Sequence, residues 1–173
     1  MRPALLTLLA PLLAAACAAP YGIGGSVYNT DVQRQLYGPG YPVLGGTQKV
    51  FMYGTPPAGL TPEGFAALMR APQWFQPTRF EAAQPGERPG SVRFVTAFGT
   101  DTNIVLCSRP APGGDPALIA MAYCYGDREV TRASMRLTPG GDIARDVSAL
   151  MYGLLPPPRP DDTHENCRIP GGC

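Results

Sequence analysis

The sequence predicts an α+β fold: an antiparallel sheet of about four to five strands covered by two helices, with an irregular N-terminal tether and a C-terminal tail. Three observations carry this. Ser91–Phe98 alternates Val92, Phe94, Thr96 and Phe98 against Arg93, Val95 and Ala97, the period of a half-buried strand. Gly126-Asp127 separates two apolar runs, Ala117–Tyr125 and Glu129–Leu137, and the glycine suits the positive φ of a tight hairpin turn. Ile143, Val147, Leu150, Met151 and Leu154 fall on one stripe of a helix.

The first seventeen residues read MRPALLTLLAPLLAAAC. Arg2 gives a positive start, and an apolar run from Ala4 to Ala16 follows, interrupted by Thr7 and Pro11. The run is too short for a bilayer, which takes roughly 20 apolar residues, and has the pattern of a secretory signal over residues 1–16. Leu13-Ala14-Ala15-Ala16-Cys17 resembles the lipobox of bacterial lipoproteins, with Ala14 at the position where leucine is preferred and Leu13 one residue further out. The resemblance covers the signal alone. It implies a diacylglyceryl group on the Cys17 thiol, cleavage before Cys17 and acylation of the new amino group. It also implies location in the bacterial cell envelope, lipid-anchored, with Ala18 directing the protein to the outer membrane facing the periplasm. The alternative is ordinary signal removal, since Ala14-Ala15-Ala16 and Ala16-Cys17-Ala18 both offer the small-x-small pattern.

Residues 17–46 comprise Cys17 and a stretch rich in Gly, Pro, Tyr and small polar residues. No helical or strand period survives there, so it reads as a flexible tether. The domain spans 47–155. Lys49–Tyr53 is a short strand closed by Gly54-Thr55-Pro56-Pro57. Thr61-Pro62-Glu63 opens a helix, with Thr61 as cap, Pro62 at the first helical position and Glu63 in the first turn. Phe65, Leu68 and Met69 give its apolar face, Pro72 stops it, and Trp74-Phe75 packs on the same core. Then come four strands: Ser91–Phe98, Asn103–Ser108, Ala117–Tyr125 and Glu129–Leu137. The Gly126-Asp127 turn pairs Tyr125 with Arg128, and a regular ladder then sets Cys124, Ala122, Ala120 and Leu118 opposite Glu129, Thr131, Ala133 and Met135. That small apolar face is the one expected beneath a helix. Asp142 caps the last helix, Ile143–Leu154, and residues 156–173 form a proline-rich, cysteine-containing tail.

Composition narrows the function classes. The formal net charge is +1, 16% of residues are charged, and Gly and Pro number 21 each. No basic field points to nucleic acid. The chain has one histidine, His164 in the tail, so a Ser-His-Asp or Cys-His arrangement and a histidine-rich zinc site both lack their imidazoles. No P-loop, dinucleotide fingerprint, EF-hand loop or CxxC occurs. No catalytic residue, metal ligand or cofactor is assigned.

Setting Cys17 aside for lipid leaves Cys107, Cys124, Cys167 and Cys173, an even set suited to an oxidising compartment. Four cysteines allow three pairings, of which Cys107–Cys124 and Cys167–Cys173 are favoured. A tight hairpin turning near Gly113 would set Cys107 opposite Leu118, so the first bond requires a longer loop or strands that are not simple neighbours. The alternative for His164, Cys167 and Cys173 is metal binding. Arg128, Arg132 and Arg136, joined by Arg93, form a candidate anion-binding strip, with a solvated sheet face as the alternative. The expected function is a lipid-anchored envelope protein with a non-catalytic binding or scaffold domain, whose partners are the membrane through Cys17 and an envelope protein or glycan. The rivals are a periplasmic hydrolase using Asp and Glu on cell-wall or lipid material, and a carrier of small apolar ligands with a cavity lined by Phe94, Phe98 and Met135.

Overall fold

The computed structural model describes Gly24–Val27, residues 45–100 and residues 105–157. Six strands form one sheet: β1 (Gly24–Val27), β2 (Gly46–Tyr53), β3 (Thr78–Ala82), β4 (Val92–Phe98), β5 (Leu118–Tyr125) and β6 (Arg128–Arg136). Their spatial order is β1-β6-β5-β4-β2-β3. Two α-helices, α1 (Pro62–Leu68) and α2 (Ile143–Leu154), pack on one face.

The α+β class and the two covering helices are as the sequence predicts. The sheet itself is mixed: β2 runs parallel to both β3 and β4, and the β4-β5-β6-β1 ladder is antiparallel. The connection explains this, because a parallel pair needs a long crossover and residues 54–77 supply one that holds α1. Its product, β3, was absent from the expected elements, although Phe80 alternates with Arg79 and Glu81 between Pro77 and Pro85. The strand expected over Asn103–Ser108 is not formed in its described part: the Arg109 N–H donates to the Val105 carbonyl and closes a helical turn. The expected tether also gives up five residues, since Gly24–Val27 pairs antiparallel with β6 and Gly46 opens β2.

The helices start where their caps place them. The Gly64 N–H donates to Thr61 Oγ1 at 3.0 Å, and the Ala144 N–H donates to Asp142 Oδ1 at 2.9 Å. Val147, Leu150, Met151 and Leu154 of α2 are buried, and Ile143 packs at the margin of the same cluster. Phe65 of α1 meets Phe98 edge-on, and Phe80, Phe94 and Tyr123 continue the stack across β3, β4 and β5. Each such aromatic contributes about 1.5–3 kcal/mol by leaving water. Trp74 docks the end of α2 on this layer: its Nε1–H donates to the Leu155 carbonyl, and its ring meets Tyr152 edge-on.

The β5–β6 hairpin departs from a regular ladder at one residue. Tyr125 pairs with Arg128 and Cys124 with Glu129, as the turn dictates, but Tyr123 then pairs with Thr131, leaving Val130 as a bulge. Every later pair is displaced by one: Ala122 lies opposite Arg132 and Leu118 opposite Arg136. The helices therefore cover Ile119, Met121 and Tyr123, and the small face of Ala120, Ala122 and Cys124 lies on the other side, which reverses the expected assignment. Bulky side chains fill the space beneath helices, and small ones let a loop approach closely.

That loop crosses the small face as a strap. Leu106 and Cys107 pack with Val95, Ala97, Ala120, Ala122 and Cys124. Gly99 holds φ +74°, and a Cβ there would stand 2.8 Å from the Gly113 carbonyl oxygen, so glycine is required where the strap meets β4.

Candidate functional site

Of the sequence-predicted site residues, Cys17, His164, Cys167 and Cys173 lie outside the described residues, so the anchor, the second disulfide and the tail metal reading have no structural description. Cys107 and Cys124 are joined, with Cα atoms 5.7 Å apart. Cys107 sits in the strap rather than on a strand, which is how it meets Cys124 without being its hairpin neighbour.

The arginine strip is divided. Arg93, Arg132 and Arg136 lie on the strap side of the sheet, opposite Cys124, Ala122 and Leu118. Arg128 lies opposite Tyr125, on the other face, because the bulge changes the parity between it and Arg132. Internal partners engage the three on the strap side. Arg93 donates to the Cys107 carbonyl at 2.7 Å and to Asp127 at 3.3 Å. Arg132 and Glu129, both buried, form an ion pair at 3.7 Å, and Glu129 Oε1 also accepts the Leu106 N–H. Arg136 donates to Asp115, whose carboxylate further accepts the Ala117 N–H. These contacts hold the strap on the sheet. Arg93, Arg132 and Arg136 thus work as clamps, and a shared anion site over all four arginines is not assembled.

The chemistry that faces solvent is at the other end of the sheet. A groove of about 520 Å³ lies between α1 and β3, lined by Glu63, Ala67 and Arg70 from the helix side and by Lys49, Arg79, Phe80, Glu81, Ala82 and Gln84 from the sheet side. Arg70 closes the end of α1 by donating to the Ala67 and Met69 carbonyls. Glu81 receives Lys49 at 3.4 Å and Arg79 at 3.3 Å, and Glu87 approaches Lys49 at 4.0 Å. Glu63 and Glu81 bring two carboxylates to one groove, but the second is bound by two cations.

The groove flanks a sheet edge. Among the described residues β3 pairs with β2 alone. The Gly46 N–H donates to the Pro77 carbonyl and the Ala83 N–H to the Val50 carbonyl. In a parallel ladder in this register, Arg79 and Glu81 turn both backbone groups toward β2, and Thr78, Phe80 and Ala82 turn theirs outward. Phe80 and Ala82 are each 5% exposed, so their outward backbone groups are largely covered, and the charged groove is the accessible feature of this margin. Sequence reasoning missed this site because it missed β3.

Phe94, Phe98 and Met135 are packed in the core beneath the helices. A second, shallower hollow of about 320 Å³ borders Gly54, Phe98, Gly99 and the strap residues Pro112, Gly113, Gly114 and Pro116, and neither Phe94 nor Met135 lines either cavity. Among the described residues no group of three or more His, Cys, Asp or Glu side chains is placed to hold a metal ion, and no helix is long and apolar enough to cross a membrane. No protein-family model, curated protein or solved structure matches the chain.

Proposed function

We propose that this chain is a lipid-anchored protein of the bacterial cell envelope, held through Cys17 at the outer membrane and facing the periplasm, with a non-catalytic domain that works as a binding scaffold. Its working surface is the charged groove between α1 and β3. The observation that carries this reading is the groove itself, where Lys49, Arg70 and Arg79 stand beside Glu63 and Glu81. A charged segment of a partner protein laid there meets Lys49, Arg70 and Arg79 together with Glu63 and Glu81, so charge complementarity supplies selectivity.

The position of the groove supports the same reading. Cys17 precedes β1, and β1 and β3 stand at opposite margins of the sheet, about 24 Å apart at roughly 4.8 Å per strand. Anchoring through the segment before β1 leaves the groove beside β3 at the far margin of the sheet. The Cys107–Cys124 bond suits an oxidising compartment.

The test is site-specific photo-cross-linking in cells. A photoreactive residue at Gln84, exposed at the groove, yields discrete protein adducts, and the same residue at Arg128, exposed on the far hairpin, yields few or none. Adducts at Arg128 and none at Gln84 would refute the assignment of the surface.

A further inference from the structure

The reading of the groove as the working surface leaves open what enters it, and the inference here rests on that reading. We infer that the groove takes an extended segment of a partner protein carrying a basic and an acidic side chain three residues apart. The argument comes from where the charges stand and which of them are already matched.

The two walls differ in this respect. On the sheet wall the charges are matched internally: Glu81 receives Lys49 at 3.4 Å and Arg79 at 3.3 Å, and Glu87 approaches Lys49 at 4.0 Å. The helix wall is made by Glu63, Ala67 and Arg70. Spacings of four and three residues put them on one stripe of α1, continued just past its cap at Met69. Phe65, Ala66 and Met69 are buried against the core, whereas Glu63 and Arg70 are exposed. Neither of these two has an ion-pair partner among the described residues. The bonds from Arg70 to the Ala67 and Met69 carbonyls position its guanidinium and neutralise none of its charge. Seven residues at a rise of 1.5 Å set Glu63 and Arg70 about 10 Å apart, too far to neutralise each other.

Topology gives the groove a polarity. β2 and β3 are parallel, so the crossover brings α1 back antiparallel to both. Arg70 after the end of α1 and Arg79 at the start of β3 therefore share one end of the groove, and Glu63 and Gln84 share the other. The Arg79 side chain is 79% exposed and adds a second guanidinium to the cationic end. Ala67, Phe80 and Ala82 line the groove alongside these charges. The complementary occupant brings a carboxylate to the two guanidiniums, whose forks suit it, and a cation to Glu63. A single amino acid cannot span the gap between them. Three residues of extended chain at roughly 3.3 Å each cover it, as does one polyproline II turn, which also sets residues i and i+3 on one side. The volume of about 520 Å³ suits a short segment of this kind.

The experiment is an NMR titration of amide shifts, on the full chain carrying Cys17→Ser and produced with its disulfide formed. The probes are the capped peptides Lys-Pro-Pro-Glu and Glu-Pro-Pro-Lys, which present the same two charges with opposite chain direction. At least one of them gives saturable shifts at Glu63, Ala67, Arg70 and Arg79, in the millimolar range expected for so short a ligand. Replacing its Lys or its Glu by Gln weakens binding at least about threefold. Arg70→Gln abolishes the preference for Glu over Gln in the peptide and keeps the preference for Lys, and Glu63→Gln does the reverse. Both substitutions are at exposed positions, and unchanged circular dichroism checks the fold. Neither peptide shifting these amides, or binding indifferent to the peptide charges, overturns the inference. In that case, adducts at Gln84 in cells that persist in Glu63→Gln and Arg70→Gln chains keep the groove as the working surface with a different occupant. If Gln84 captures nothing, both readings fall.

Discussion

Two side chains show how position within this sheet changes acid–base behaviour. Asp115 lies in the strap, where its carboxylate accepts the Ala117 N–H and a guanidinium N–H of Arg136. The backbone hydrogen bond and then the arginine hold its carboxyl below the ordinary 3.8. A carboxylate with a lowered folded pKa contributes stability above the unfolded value and loses it as pH falls through the folded one. An NMR titration should place the Asp115 midpoint below 3.8, and Arg136→Ala should raise it without restoring the ordinary value, because the larger cause is the Ala117 N–H. Tyr123 is the opposite case. It is buried under the helices, its hydroxyl has no hydrogen-bond partner among the described residues, and burial pushes its pKa well above 10. Once pH exceeds 10 the unfolded tyrosine ionises and the folded one does not, so folding stability falls. Tyr123→Phe removes an unsatisfied polar atom and keeps the ring, so it should raise stability by about 1 kcal/mol at neutral pH and remove this part of the alkaline loss. Urea denaturation at pH 7 and pH 10.5 checks both.

At the scale of elements, the strap is the feature that distinguishes this sheet from a plain two-layer arrangement. The Cys107–Cys124 bond closes a separation of 17 residues, and Arg93, Glu129 and Arg136 hold the same segment by polar contacts. Cross-linking a loop of this length stabilises by about 3 kcal/mol through the unfolded state. The double variant C107A/C124A should lose about that much in denaturant unfolding and gain fast amide exchange at Leu106, with the helix-side core still folded. The sequence displayed those parts of the fold whose signal is local. Thr61-Pro62 and Asp142 announce the helix starts, Gly126-Asp127 announces the hairpin, and the alternation in β4 announces a strand. What it concealed depends on long-range geometry. Nothing around Val130 marks it as the extra residue, yet it exchanges the faces of all that follows in β6 and separates Arg128 from Arg132 and Arg136. Phe80 between Arg79 and Glu81 was a readable strand, but its parallel pairing follows from the crossover through α1, which no local pattern specifies. The candidate site was therefore less legible than the fold that carries it.

For the whole molecule, the two margins of the sheet have different tasks in this account. The β1 margin adjoins the chain that leads from Cys17, and the β3 margin, which pairs with β2 alone among the described residues, carries the charged groove. A scaffold attached at one margin presents a fixed groove at the other without needing a catalytic group, which fits a chain whose lone histidine is in the tail. The anchor is the claim on which location and orientation both depend. The most direct measurement is the intact, non-reduced mass of the protein extracted from its native membranes. The account predicts a chain beginning at Cys17 with acyl groups on that residue and no free thiols, consistent with Cys107–Cys124 and Cys167–Cys173 both formed. An unmodified chain beginning at or after Cys17 would contradict it, and would make this a soluble secreted protein without a membrane-held scaffold.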